Sequence, residues 1–112
     1  MYIDNKTAKN LVKIMASYGA IVVGSYARDS HMTKYKDLDF LTLIPLNKLR
    51  SKLLNNPIFK LVKSGEHYNS YTATGKYKID IWLTTKKNFA RDYILRYLPK
   101  HKVINLHKSG LF

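Results

Sequence analysis

The sequence predicts an α+β domain: a mixed β-sheet of about four or five strands with helices packed on one face. Three observations carry that reading. β-rich runs fall at 20–23, 37–44, 58–63, 67–74 and 77–83. Runs with helical character fall at 5–18, 46–54 and 88–98. Turn and breaker residues punctuate them at Gly19, Gly24-Ser25, Pro45, Asn55-Asn56-Pro57, Gly65, Gly75 and Pro99.

In the first helix Ala8, Leu11, Val12 and Met15 form one apolar stripe. Asp4 or Asn5 can cap its start, and Gly19 suits the position just past its end. Ala20-Ile21-Val22-Val23 is a short apolar strand that Gly24-Ser25 breaks, with a short helical turn to follow. Residues 37–44 form the next strand and Pro45 closes it. Leu46, Leu49, Leu53 and Leu54 mark a second helix. Ser64-Gly65-Glu66 and Thr74-Gly75-Lys76 are hairpin turns between the last three strands. A final helix stops at Pro99, and residues 103–112 fit no one element type. No repeat, linker or low-complexity segment interrupts the chain, so residues 1–112 read as a single domain.

Strand alternation has a chemical consequence. Asp37 and Asp39 share one face of their strand, opposite Leu38 and Phe40. Lys78, Asp80 and Trp82 share a face opposite Tyr77, Ile79, Ile81 and Leu83. If those strands are neighbours, three carboxylates converge on one side of the sheet.

Composition narrows the function classes. A hydrophobic content of 46% with 12% aromatics excludes a disordered basic tail. No apolar run approaches the roughly 18 residues needed to span a bilayer. The N-terminal segment Met1-Tyr2-Ile3-Asp4-Asn5-Lys6 has no apolar signal core. The absence of cysteine excludes disulfides and thiolate metal sites. The expectation is an intracellular protein of a reducing compartment, with no membrane partner. His31, His67, His101 and His107 lack the spacing of zinc ligands.

The net charge of +13 is large for 112 residues and is spread along the chain. It points to a polyanionic partner, nucleic acid first. Lys78, Lys86, Lys87, Lys100 and Lys102 are the candidate contacts to a phosphate backbone, with Lys108 beside them. Most of the nine tyrosines read as sheet packing; Tyr68 or Tyr71 is placed to stack on a base. Trp82 reads as rim packing, within reach of a base or sugar.

Against that charge, three of only seven acids fall in one constellation. A strand leads into Gly24-Ser25-Tyr26-Ala27-Arg28; Asp37-Leu38-Asp39 follows on a strand, and Asp80 sits on a later one. Crowded carboxylates repel one another unless cations neutralise them. Magnesium suits them, with manganese as a substitute, because it takes hard oxygen ligands and keeps positions open for phosphates. Gly24 and Ser25 would offer backbone N–H groups and a hydroxyl to triphosphate oxygens, and Arg28 a charge-assisted pair. An isolated Asp-x-Asp or Gly-Ser is weak; the ordered combination is restrictive.

At these residues the chain resembles the polymerase beta-like nucleotidyltransferase superfamily, and within it the minimal, viral-type palm of DNA polymerase family X. Asp37-Leu38-Asp39-Phe40-Leu41-Thr42-Leu43-Ile44-Pro45 looks like that family's metal strand. Lys78-Ile79-Asp80-Ile81 looks like its third-aspartate strand, with Lys78 where arginine is usual. Leu106-His107-Lys108-Ser109-Gly110-Leu111-Phe112 is similar to its Leu-Asn-x-Tyr-Gly-Leu-Phe segment. The resemblance implies a two-metal nucleotidyl transfer from a nucleoside triphosphate to a DNA 3′-hydroxyl, at a primer end or gapped duplex. Asp37 and Asp39 would ligate both metals. Asp80 would ligate the catalytic one and help deprotonate the hydroxyl. Ser25 and Arg28 would hold the triphosphate. The family's Phe/Tyr-x-Gly-Ser segment, lyase domain and helix-hairpin-helix have no counterpart here, so a further domain or protein partner would supply DNA grip. Two other functions share the motifs: a minimal nucleotidyltransferase acting on protein, RNA or a small molecule, and a non-catalytic nucleic-acid-binding protein with a retained palm.

Overall fold

A computed structural model of the chain describes residues 2–52, 58–74 and 77–97. In chain order the elements are β1 (Ile3–Asp4), α1 (Asn5–Ser17), β2 (Ala20–Val23), α2 (Gly24–Arg28), β3 (Lys34–Tyr35), β4 (Leu38–Thr42), α3 (Leu46–Lys52), β5 (Lys60–Ser64), β6 (Asn69–Thr74), β7 (Lys78–Leu83) and α4 (Lys87–Tyr97). Five strands form one mixed sheet in the order β2-β4-β7-β6-β5. β4 and β7 run parallel; the other pairs are antiparallel. The class is α+β, as the sequence predicts.

α1 begins where its cap lies. The Asp4 side chain accepts a 2.7 Å hydrogen bond from the Thr7 N–H, a contact that contributes about 1 kcal/mol. It ends before Gly19, whose φ of 92° belongs to the left-handed region. Ala8 and Met15 are buried, with Leu11 and Val12 beside them, against Ala20, Leu38, Phe40 and Ile81 of the sheet. Leu49 of α3 joins the same core. Phe40 is fully buried at its centre, where a side chain of that size contributes roughly 1.5–3 kcal/mol.

The expectation of helices on a single face holds for α1 and α3. α4 does not follow it, nor does Ala27 of α2: Ala90 and Ile94 of α4 are buried with Ile21, Val23, Ala27 and Leu41, and Trp82 and Tyr93 pack against them. Leu41 alternates with Phe40, so α4 covers part of the opposite face, the one that carries Asp39. The cause is apolar surface there: Ile21, Leu41 and Trp82 lie in one register row and would otherwise meet water.

A second, two-stranded ribbon has no counterpart in the sequence reading. β1 pairs with β3 through Ile3↔Tyr35 and Asp4↔Lys34. Strands of two residues carry no readable alternation. Both Ile3 and Tyr35 are nonetheless buried, and the Tyr35 hydroxyl donates to the Asp29 carbonyl at 2.7 Å. Asn5 Nδ2 donates to the carbonyls of Ser30 and Met32 at 2.9 and 2.7 Å. These bonds tie the segment between α2 and β4 to the start of α1, and so fix the Gly-Ser turn relative to the aspartate strand.

The β5–β6 turn falls where predicted, closed by the Gly65 N–H to the Tyr68 carbonyl at 3.0 Å. The turn at Gly75-Lys76 and the C-terminal segment with Lys100, Lys102 and Gly110-Leu111-Phe112 lie outside the described residues. Among the described residues no helix is long and apolar enough to cross a membrane.

Candidate active site

The parallel pairing of β4 with β7 places Asp39 directly beside Asp80. Asp37 precedes β4 on the same face. Side-chain oxygens of Asp37, Asp39 and Asp80 all lie within 4.8 Å of one another, and all three residues are half-buried. The convergence that alternation implies is therefore present.

Electrostatics follow from the crowding. Asp39 is pushed up to about 7 from the ordinary 3.8. Burial is the first cause, the charges of Asp37 and Asp80 come next, and a hydrogen bond with Asp80 adds to them. Lys78 opposes the shift: its Nζ lies 3.9 Å from both Asp37 Oδ2 and Asp80 Oδ2. That ammonium is half-exposed, and each such pair contributes at most about 1 kcal/mol. Lys78, expected on a phosphate backbone, is thus engaged with the acids.

The Gly-Ser turn adjoins the same carboxylates. β2 pairs with β4 through Val23↔Asp39, so Gly24 follows immediately at the edge of the acid row. Its φ is 71°, and a Cβ there would overlap the Asp39 carboxylate. Glycine is required both by backbone conformation and by space. Ser25 is half-buried and Arg28 exposed. They stand three apart on α2, hence on one helical face.

The third side of the site escaped the sequence reading. β6 pairs with β7 through Thr72↔Asp80, and directly opposed residues point to the same face. The Thr72 hydroxyl oxygen is buried and has no hydrogen-bond partner among the described residues. Its only signal in the sequence would have been the register of β6 against β7.

Other expected residues fall elsewhere. Lys86 and Lys87 follow the C-terminal end of β7, whereas Asp80 is near its start. At ~3.3 Å per residue, Lys86 lies about 20 Å further along the chain from Asp80. Lys86 Nζ donates instead to the Glu66 carbonyl at 2.9 Å. Tyr71 pairs with Ile81 and faces away from the acids. Tyr68 stacks on Trp82, with ring centroids 5.1 Å apart, and both line a cleft of about 410 Å³ with Phe89, Tyr93 and Arg96. Trp82 is on the acid face, two residues from Asp80.

The donor set fits a hard divalent cation. Three carboxylates supply oxygen ligands, crowding makes neutralisation favourable, and Gly24 packs directly against the Asp39 carboxylate. No protein-family model matches this chain, and no curated protein matches it.

Proposed function

We propose that the protein is a divalent-metal-dependent nucleotidyltransferase, of polymerase family X type, that adds nucleotides to a DNA 3′-hydroxyl. The observation that carries the proposal is the juxtaposition of Asp37, Asp39 and Asp80 oxygens within 4.8 Å with a glycine turn that allows no Cβ beside Asp39. An isolated acid cluster is common; one that adjoins a glycine turn at the start of a helix supports transfer chemistry.

Asp37, Asp39 and Asp80 would hold magnesium, which when bound would neutralise the acids and polarise the phosphates of an in-line displacement. The chain's own residues do the rest. Gly24 and Ser25 present N–H groups and a hydroxyl to the triphosphate, and Arg28 pairs with its outer phosphates. Asp80 accepts the proton of the attacking hydroxyl. The hydroxyl oxygen bonds to the α-phosphorus, the bond to the bridging oxygen breaks, and pyrophosphate leaves with that electron pair. Positioning and charge neutralisation supply most of the rate in such reactions.

The test is primer extension with labelled nucleoside triphosphates, with magnesium or chelator, in the natural chain and in Asp39→Asn. The expected result is metal-dependent addition of one or a few nucleotides, lost in the variant. Transfer to RNA or protein but to no DNA end would replace the acceptor. Full activity in Asp39→Asn would overturn the site.

A further inference from the structure

The acid row does not end at Asp80. Across the sheet it runs Val23, Asp39, Asp80, Thr72, Lys60, each the register partner of the next. A second row runs Ile21, Leu41, Trp82, Ser70, Lys63. Opposed residues share a face, so Lys60 and Lys63 both stand on the face of the acids. Plain alternation would put residues three apart on opposite faces. A register shift between Leu61 and Lys63 absorbs one residue of β5 and brings Lys63 back beside Ser70; re-aiming a side chain is a recurrent effect of bulges.

Among the described residues the outer half of this face is polar, with Lys60 and Lys63 exposed. β5 is an edge strand, exposed along its length. α4 covers the row at Ile21 and Leu41, leaving Lys60, Lys63, Ser70 and Thr72 with two cations, two hydroxyls and no carboxylate among them. The Thr72 hydroxyl, buried and without a hydrogen-bond partner among the described residues, lies between Lys60 and Asp80. At the strand spacing of ~4.8 Å, Lys60 is about 10 Å across the sheet from Asp80. Trp82, stacked with Tyr68, lies next to Ser70.

We propose that the β5–β6 hairpin is the rail that carries the acceptor strand of nucleic acid to Asp80. Lys60 and Lys63 contact successive backbone phosphates, and the Ser70 hydroxyl donates to a phosphate oxygen between them. Trp82 stacks on the base nearest the reacting end. The assignment rests on the nucleotidyltransferase reading for its direction toward Asp80. The chemistry that recognises the strand, a polyanionic backbone with accessible bases, is shared by DNA and RNA.

The test is fluorescence anisotropy of the full chain with a labelled 12-nucleotide DNA strand and its RNA counterpart, in chelator and without nucleotide. Lys60→Ala with Lys63→Ala should reduce the log–log salt slope by about 1.4 and weaken binding about 25-fold at 0.1 M salt. The decisive variant exchanges neighbours, Lys60→Leu with Leu61→Lys. It preserves composition and net charge but turns the ammonium to the face of Tyr71, the partner of Leu61. About a 5-fold loss is expected from the exchange; affinity equal to the natural chain's would overturn the rail. Lys60→Gln gives the same reading without altering strand hydrophobicity. In extension assays these variants should raise the acceptor KM and leave kcat at saturation unchanged. Loss of affinity in a chain that transfers to no acceptor would uphold the rail and reject the enzyme reading. Intact affinity in variants that still transfer would do the reverse. The DNA and RNA arms identify which strand the rail holds more tightly.

Discussion

The two ends of the parallel β4·β7 pair are built from similar polar residues and treated in opposite ways. At the C-terminal end stand Thr42 and Thr84, both buried. The Thr42 hydroxyl donates to the Gly19 carbonyl and accepts from the Ile44 N–H, both at 3.0 Å. The Thr84 hydroxyl donates to the His67 carbonyl at 2.6 Å and accepts from the Lys86 N–H at 3.0 Å. The same device appears twice, and the Thr84 N–H donates to the Thr42 carbonyl at 3.1 Å to join them. At the N-terminal end stand Asp39 and Asp80, side by side, with Asp37 crowding them. Lys78 lies 3.9 Å from Asp37 and from Asp80, and the neighbouring Thr72 hydroxyl has no hydrogen-bond partner among the described residues. One end is saturated with internal hydrogen bonds; the other holds unmet capacity for cations and oxygen ligands. The saturated end stabilises the parallel pair, so the other end can keep its charges in a fixed and unfavourable arrangement.

Replacement at the acid end should have the largest effect. Asp37→Asn, Asp39→Asn and Asp80→Asn are each expected to lower nucleotide transfer by at least three orders of magnitude, about 4 kcal/mol in the barrier, while far-ultraviolet circular dichroism stays that of the natural chain. Magnesium should raise the melting temperature of the natural chain, by mass action on the folded state, and leave that of Asp39→Asn where it was. A magnesium shift of equal size in both would detach the cation site from Asp39.

Gly24→Ala tests the boundary of that end. The added Cβ meets the Asp39 carboxylate and the residue must keep a φ of 71° or move. A loss of roughly 1–3 kcal/mol in stability or in nucleotide affinity is expected, read by denaturant titration and by isothermal titration with a nucleoside triphosphate. Natural behaviour in both measurements would mean that the turn relaxes without consequence and does not shape the site.

The satisfied end should respond in stability alone. Thr42→Val and Thr84→Val keep shape and remove a hydroxyl that serves both a carbonyl and an N–H. Each should cost about 1–3 kcal/mol in denaturant unfolding and leave the nucleotide KM unchanged. A change in KM with no loss of stability would contradict the division between the two ends.

The smallest effect has the opposite sign. In the metal-free protein Asp39 keeps a proton up to about pH 7 that the unfolded chain releases near 3.8. The folded state therefore binds more protons between those values, and this group's contribution falls as pH rises through that window. Asp39→Asn abolishes the penalty. It should match the natural chain near pH 4 and exceed it in stability above pH 7, by about 1–2 kcal/mol after allowance for solvent screening. Melting curves in chelator from pH 4 to 8 measure the gap; a gap that narrows with rising pH would reverse the assignment.

Much of this was legible in the residues themselves. The cap at Asp4, the stop at Gly19, the break at Gly24 and the terminator Pro45 each act within a few residues of their own position, where local sterics and hydrogen bonding decide. The α+β class, most element boundaries and the shared faces of Asp37 with Asp39 and of Asp80 with Trp82 follow from such local rules and from the two-residue period of a strand. The β1–β3 ribbon was not legible, because two residues define no period and its hold comes from Tyr35 and Asn5 reaching across the chain. Nor was the placement of α4 on the acid face, which answers to apolar surface left by Ile21, Leu41 and Trp82 only once their strands are paired.

What the sequence determined alone is the chemistry on offer: three acids, a glycine turn, an excess of lysines and the face that each acid takes on its strand. Tertiary structure decided which of them meet. Pairing β4 with β7 in parallel register put Asp39 against Asp80 and Lys78 within reach of Asp37, and the β6–β7 and β5–β6 pairings set Thr72 and Lys60 in line with them. Register is a relation between segments far apart in the chain, set by the fit of whole strands and their bulges, and it exists only when the sheet has formed.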